Sequence, residues 1–203
     1  MSMRLATEPY LEQNARWPKS GRHILAQFDA DSIVVYQAYR PSIGRFAATH
    51  CYFGGEFSFN RMSWVKPNFL WMMYRSGWGT KQDQEITLAV RLRRTAFDAV
   101  LAAAVPSSFQ SGESGSHAEW QRRVAESDVR LQWDPDHDPH GHALDRRAIQ
   151  LGLRGETLAK YGREWILDIE DISAFVVQQR RNLGEGGESA LITPREDVYP
   201  SVE

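Results

Sequence analysis

Three cations interrupt a strongly apolar segment of the chain. Residues 61–78 read RMSWVKPNFLWMMYRSGW and hold Arg61, Lys66 and Arg75 among three tryptophans, three methionines, Phe69 and Tyr74. The segment contains no Asp or Glu to pair them. Burying an unpaired charge is costly, so these side chains must meet acids from elsewhere, solvent or an anionic ligand. The pattern predicts a helix over 67–76, with Pro67 in its first turn, where a missing N–H is tolerated, and Gly77 as its stop. A helix N-terminus carries unpaired N–H groups and partial positive charge, which suits a phosphate. Lys66 precedes that terminus and Asn68 adds a donor. Trp71, Arg75 and Trp78 form one stripe of the helix, and Leu70, Met73 and Tyr74 a more apolar one. The chemistry this suggests is recognition of a phosphate beside a stacked flat ring. The plainer alternative is a core helix whose Arg75 stacks on an indole for structure alone.

A second cluster, DPDHDPHGH, offers His137, His140 and His142 with Asp134, Asp136 and Asp138. These are metal-ligand types, but they lie in one short stretch with no distant second set, no HExxH and no CxxC. A solvated turn without a metal is expected. GRFAATHCYFGG lacks the Gly-Lys-Ser/Thr of a phosphate loop, and no Gly-x-Ser-x-Gly elbow supports a serine nucleophile. Cys51 is the single cysteine. It excludes an intrachain disulfide and reads as a small, partly buried apolar residue rather than a nucleophile. A lone thiol suits a reducing compartment. With no apolar run of signal-peptide or bilayer-spanning length, a cytoplasmic protein without membrane association is expected. The 203 residues carry a formal net charge of -2, which excludes a global field toward nucleic acid or anionic membrane. Any polyanion site must be a local patch.

The elements that must position these side chains read as α+β. SIVVYQAY is a strand with both faces largely apolar, as expected of a central strand covered on both sides. RMSWVK reads as another, and EITLAVRLRR alternates most clearly. VRLQWD, AIQLGL and EWILDIEDI complete a mixed or antiparallel sheet containing 33–39, 61–66, 86–93, 129–133 and 165–171. Helical turns are expected over RHILAQFDAD, a short helix over 43–49, and helices over AFDAVLAAAV, AEWQRRVAES, ETLAKYG and SAFVVQQRRNL. Thr95 with Asp98, and Ser116 with Glu119, are the candidate capping pairs. PSSFQSGESGSH is a low-complexity loop, and PDHDPHGHALDRR a long one. The division expected is an N-terminal arm over 1–21, packed through Tyr10 and Trp17, a single globular domain over 22–183 and a flexible tail over 184–203. No sustained βαβ alternation or Gly-rich fingerprint supports a Rossmann sheet.

GRHILAQFDADSIVVYQAYRP, RMSWVKPNFLWMMYRSGWGTK, LQWDPDHDP and IQLGL together resemble the family catalogued as domain of unknown function 4291. The likeness runs from about Tyr10 to the final helix and brings no assigned reaction. Beneath it the element order looks like the ADP-ribosyltransferase fold. That likeness implies Gln37 where the first strand usually carries His or Arg, Ser63 at the second position, and Gln150 near the usual catalytic Glu. The two glutamines depart from the common pattern and put ordinary ADP-ribosyl transfer in doubt. Enzymes of this fold that act on RNA phosphates use several basic residues instead.

The reading that results is an ADP-ribosyltransferase-like transferase whose ligand is NAD, as substrate, or a phosphorylated nucleotide or RNA end. Lys66 and Arg75 are its candidate catalytic residues, Arg75 stabilising developing negative charge. Arg61 and Lys66 hold the pyrophosphate, Tyr36, Tyr39, Trp71 or Trp78 sandwich a ring, and Arg146 and Arg147 are further phosphate partners. Asp134, Asp136 and Glu156 are the nearest acids for proton transfer. The alternatives are a non-catalytic RNA-binding module that stacks bases on aromatics beside Arg and Lys, and an interaction protein with no small-molecule ligand.

Overall fold

The fold is that of a computed structural model describing residues 5–110, 112 and 115–200. Part of the low-complexity loop, residues 111, 113 and 114, lies outside the described residues. In chain order the elements are β1 (Thr7–Pro9), α1 (Tyr10–Arg16), β2 (Gly21–Arg22), β3 (Leu25–Ala26), β4 (Ser32–Tyr39), α2 (Pro41–His50), β5 (Ser63–Val65) and α3 (Phe69–Ser76). They continue with β6 (Ile86–Arg93), α4 (Arg94–Ala102), β7 (Val105–Pro106), α5 (His117–Glu126), β8 (Val129–His137), β9 (Ala143–Leu153) and α6 (Gly155–Lys160), which runs into a π-helical turn at Tyr161–Trp165. Last come β10 (Ile166–Asp171), α7 (Ser173–Gly186), a 3-10 turn at Gly187–Ala190, β11 (Ile192–Pro194) and β12 (Asp197–Val198).

The α+β class holds, but the expected mixed sheet is divided. One antiparallel sheet runs β10-β6-β4; the other runs β2-β9-β8-β7, with β5 also on β9. β4 is covered on both faces, as its apolar pattern requires, yet it lies at the edge of its sheet and not in the centre. Its neighbour past that edge is Lys66, the residue after β5. Tyr36 N–H donates to the Lys66 carbonyl at 2.6 Å and Lys66 N–H to the Tyr36 carbonyl at 3.3 Å. Among the described residues this bridge is the backbone link between the two sheets.

Two apolar layers follow from the strand alternation. Ile33, Val35, Leu88 and Val90 face Val129, Leu151 and Leu153 of the second sheet. Val34, Tyr36 and Ala89, on the opposite face, pack with Phe69, Leu70 and Met73 of α3, Val176 of α7 and the expected anchors Tyr10 and Trp17. Helix α2 lies close on β6 because Gly44 allows it. A Cβ there would stand 2.4 Å from the Ile86 side chain.

Several local expectations are corrected. The stretch 22–31 is extended and not helical: Leu25 and Ala26 pair with β12, and Asp29 accepts from the backbone N–H groups of Asp31 and Ser32 to make a turn. α3 starts two residues after Pro67, because Asn68 is its N-cap and accepts from Trp71 N–H at 2.7 Å. Ser116 and Glu119 do form a capping box, whereas α4 has no side-chain cap and Asp98 instead accepts from the Tyr199 hydroxyl at 2.5 Å. The long loop at 135–147 is mostly the β8-β9 hairpin, with its turn at Asp138–Gly141 and a register shift between Pro135 and His137. That irregularity is where a proline is tolerated in a ladder. The tail expected to fray from Gly184 is ordered over the described residues 184–200: β11 pairs with β1 and β12 with β3, so the described parts of arm and tail hold each other, while residues 1–4 and 201–203 lie outside the described residues. Cys51, expected to be partly buried, is exposed at the end of α2.

Candidate functional site

Next to the Tyr36–Lys66 bridge a cleft of about 960 Å³ is lined by residues of both sheets and of α3. Its volume is at the upper end for a small-molecule site. β4 contributes Gln37 and Tyr39, Arg61 lies on the approach to β5 and Ser63 begins that strand, β8 and β9 contribute Gln132, Asp134 and Gln150, and α3 contributes Trp71, Tyr74 and Arg75. Arg61, Lys66 and Arg75 therefore line one space, the first two from either end of β5 and the third from α3.

Their environments differ. Arg61 and Arg75 are exposed to the cleft, so water meets their charge. Lys66 is only 5% exposed. Among the described residues none of the three enters an ion pair, and the Lys66 ammonium has no hydrogen-bond acceptor. Burial, reinforced by the neighbouring Arg75 guanidinium and opposed by Asp134, lowers the Lys66 pKa from 10.5 to about 8. The rim cation Arg40, by contrast, is neutralised by Glu56 at 2.7 Å.

The helix N-terminus is not the anion site expected. A carboxylate of the chain already occupies it: Glu196, fully buried, accepts from Phe69 N–H at 2.6 Å and from Asn68 Nδ2 at 3.4 Å. Burial pushes the Glu196 pKa well up. Asn68 is thus a buried cap and not a ligand donor. α3 instead turns its side toward the cleft. Tyr74, placed by its spacing in the packing stripe, is 43% exposed and lies flat on His137, with ring centroids 3.5 Å apart and planes 11° apart. Trp71 continues the stack, 5.2 Å from His137, and its indole N–H is buried without a partner. Tyr74 is a rigid plate with one open face beside Arg75.

The polar wall is ordered by two hubs. Gln37 Nε2 lies 2.8 Å from Tyr39 Oη, 2.9 Å from Ser63 Oγ and 3.2 Å from the Trp64 carbonyl, three acceptors that share its two hydrogens, and Gln37 Oε1 accepts from Tyr161 Oη at 2.6 Å. Its amide is fully committed, so it braces β4 to β5 at the cleft wall. Asp134 accepts from Gln132 Nε2 at 2.9 Å and from Gln150 Nε2 at 2.8 Å, one on each oxygen.

Other expected site residues fall elsewhere. Tyr36 is core, edge-on to Phe69 with its hydroxyl buried. Trp78 packs on Phe69 and donates to the Pro139 carbonyl. Arg147 lies at the β2-β9 pairing away from the cleft, and Arg146 is buried against Asp136 at 2.7 Å. Glu156 pairs with Lys160 on the surface. In the His/Asp stretch, His137 is under Tyr74, Asp136 is taken by Arg146, and Asp138 accepts from His140 N–H, His142 N–H and His142 Nδ1. No cluster of metal-ligating side chains occurs among the described residues. Gln132 escaped notice, although VRLQWD alternates and its polar face, Arg130, Gln132 and Asp134, was available from period alone.

The family model described as Domain of unknown function (DUF4291) matches residues 23–199. The chain belongs to this family. The match takes in β3 to β12 and with them every residue of the cleft. Among curated proteins none matches the chain. No helix among the described residues is long and apolar enough to cross a membrane.

Proposed function

We propose that this DUF4291 protein binds a phosphate-bearing nucleotide, NAD or a phosphorylated RNA end, in the cleft, and acts on it as an ADP-ribosyltransferase-like transferase. One observation carries the reading: Lys66, buried and without an acceptor, lines the same cleft as two further unpaired cations. A dianionic phosphate supplies what the chain withholds, since charge-assisted hydrogen bonds to Lys and Arg are strong where water is scarce. Tyr74 supplies a face for a flat ring beside Arg75. The wall also fits the weaker likeness, because Gln37, Ser63 and Gln150 all line this cleft. Lys66 and Arg61 hold the phosphates, Arg75 faces charge that develops on them, and Asp134 is the carboxylate facing a sugar that becomes electron-poor as its glycosidic bond breaks.

A second reading, a non-catalytic module for an RNA end, is favoured by the state of Asp134. Each of its oxygens already accepts a glutamine N–H, which stabilises the ionised form and makes it a weaker base for proton transfer. Thermal shift with NAD, ADP-ribose, nucleotides and short 5′- and 3′-phosphorylated RNAs tests binding, because a ligand of the folded state raises its stability. The wild type is expected to be stabilised by at least one phosphate compound and Lys66→Met is not. Release of nicotinamide or of phosphate from the bound compound supports the transferase, and binding without turnover supports the module. No shift with any compound refutes both.

A further inference from the structure

The cleft is chemically two-sided. Arg61, Lys66 and Arg75 provide donors and positive charge. Gln132 and Gln150, which line the same cleft, are directly paired across β8 and β9, and Asp134 lies two residues along β8 on the same face. Lys66 stands one register step past the Val65–Leu151 pair, beside Gln150. The orientation of the two glutamines is fixed by their shared partner. An ionised carboxylate accepts and cannot donate, so both amides must turn their NH2 groups to Asp134, at 2.9 and 2.8 Å. The amide oxygens of Gln132 and Gln150 are then left as acceptors, and among the described residues neither has a donor. Both residues are half-buried and line the cleft.

Two acceptors next to a carboxylate repel phosphate and attract hydroxyl groups. We propose that Gln132, Asp134 and Gln150 form a subsite for a vicinal diol, the ribose hydroxyls of the bound nucleotide, and make the cleft selective for ribonucleotides over deoxyribonucleotides. This inference rests on the phosphate reading above, and it assigns the parts of the ligand. Phosphates lie at Lys66 and the arginines, the base on Tyr74, and the sugar between them against the glutamine pair. Asp134 positions the two amides, which make the contacts. A site built to accept from hydroxyls discriminates strongly against an analogue lacking them, because its own polar groups are left unpaired.

The test is calorimetric titration of the full chain with ADP, 2′-deoxy-ADP, 3′-deoxy-ADP and inorganic pyrophosphate. Wild type is expected to bind ADP about tenfold more tightly than at least one deoxy analogue, the size of one well-made hydrogen bond. Gln132→Met and Gln150→Met, which keep side-chain volume, are expected to lose that preference. Their affinity for pyrophosphate is unchanged, which shows that the fold and the cationic half are intact. Equal binding of ADP and both deoxy analogues by wild type overturns this inference and leaves phosphate binding standing. A preference that survives in both variants overturns it too. No binding of any of the four compounds overturns it together with the reading on which it rests.

Discussion

Replacing Lys66 by methionine should stabilise the protein at neutral pH. The side chain is shortened by one atom, keeps an apolar stem and loses a charge that has no acceptor and feels Arg75, at a residue only 5% exposed. Its pKa falls from 10.5 to about 8 in the folded protein, chiefly through burial. That shift corresponds to roughly 3 kcal/mol against the charged form. The sign follows from linkage. Between about pH 8 and 10.5 the unfolded chain binds this proton and the folded chain does not, so stability rises with pH through that window. Below pH 8 both states carry the proton and the penalty is fully present. Lys66→Met should therefore exceed wild type by about 3 kcal/mol at pH 6, a gain of roughly 6–12 °C in melting temperature for a chain of this size, and the difference should shrink toward zero by about pH 10.5. Tyr10 and Tyr39, whose pKa values burial raises, push the other way above pH 10, because the unfolded state then loses protons first. They act equally on both proteins, so the difference isolates Lys66. Urea unfolding of both proteins from pH 6 to 10.5 measures it. A variant less stable than wild type at pH 6, by an amount independent of pH, would mean that Lys66 holds the sheets together and is not kept for a ligand.

Two further outcomes concern the supports of the cleft. Glu196→Ala removes the acceptor at the start of α3 and should cost about 2 kcal/mol or more by chemical unfolding, whereas Glu196→Gln keeps an oxygen for Phe69 N–H. Because burial raises the Glu196 pKa, wild type should match the glutamine variant near pH 4 and lose ground as pH rises through the raised folded value. Asp136→Asn leaves Arg146 charged and 2% exposed, and should cost about 3–5 kcal/mol, as breaking a buried pair does; a loss below 1 kcal/mol would show that Arg146 is held by the Pro18 carbonyl and the Trp17 ring instead.

Local signals were legible where the chain carries its own partner. The strand pattern of 86–93 matches β6, Ser116 and Glu119 cap their own helix, and Gly77 ends α3 with a positive φ of 60°. Elements of two or three residues were not legible. β1 and β3 are strands because β11 and β12 come back to them from the far end of the chain. A pair of apolar residues such as Leu25 and Ala26 fits a helix or a strand equally well until that partner is known. The His/Asp stretch misled for a related reason: Asp136 looks like a loop residue in sequence and becomes interior once Arg146, ten residues on, meets it across the hairpin.

The same distinction separates the anion site that was expected from the one that exists. The N-terminus of α3 has the right physics for a phosphate, but Glu196, 127 residues away from Phe69, satisfies it permanently. No reading of residues 61–78 alone could include that carboxylate. The unpaired cations were legible because their signal is an absence within the segment, and the rest of the fold leaves that absence in place. Arg40 receives Glu56, Arg146 receives Asp136, and the helix end receives Glu196. Asp134, the acid nearest to Lys66 in the cleft, is turned to two glutamines instead. A fold that gives its other buried charged side chains hydrogen-bond partners, backbone carbonyls for Arg130, Asp136 for Arg146 and the Phe69 N–H for Glu196, and leaves one ammonium in a cleft without an acceptor holds a local cost that a bound anion would relieve. The requirement falls on Lys66 more than on Arg61 or Arg75, which water can reach, so Lys66 is where the ligand hypothesis stands or fails.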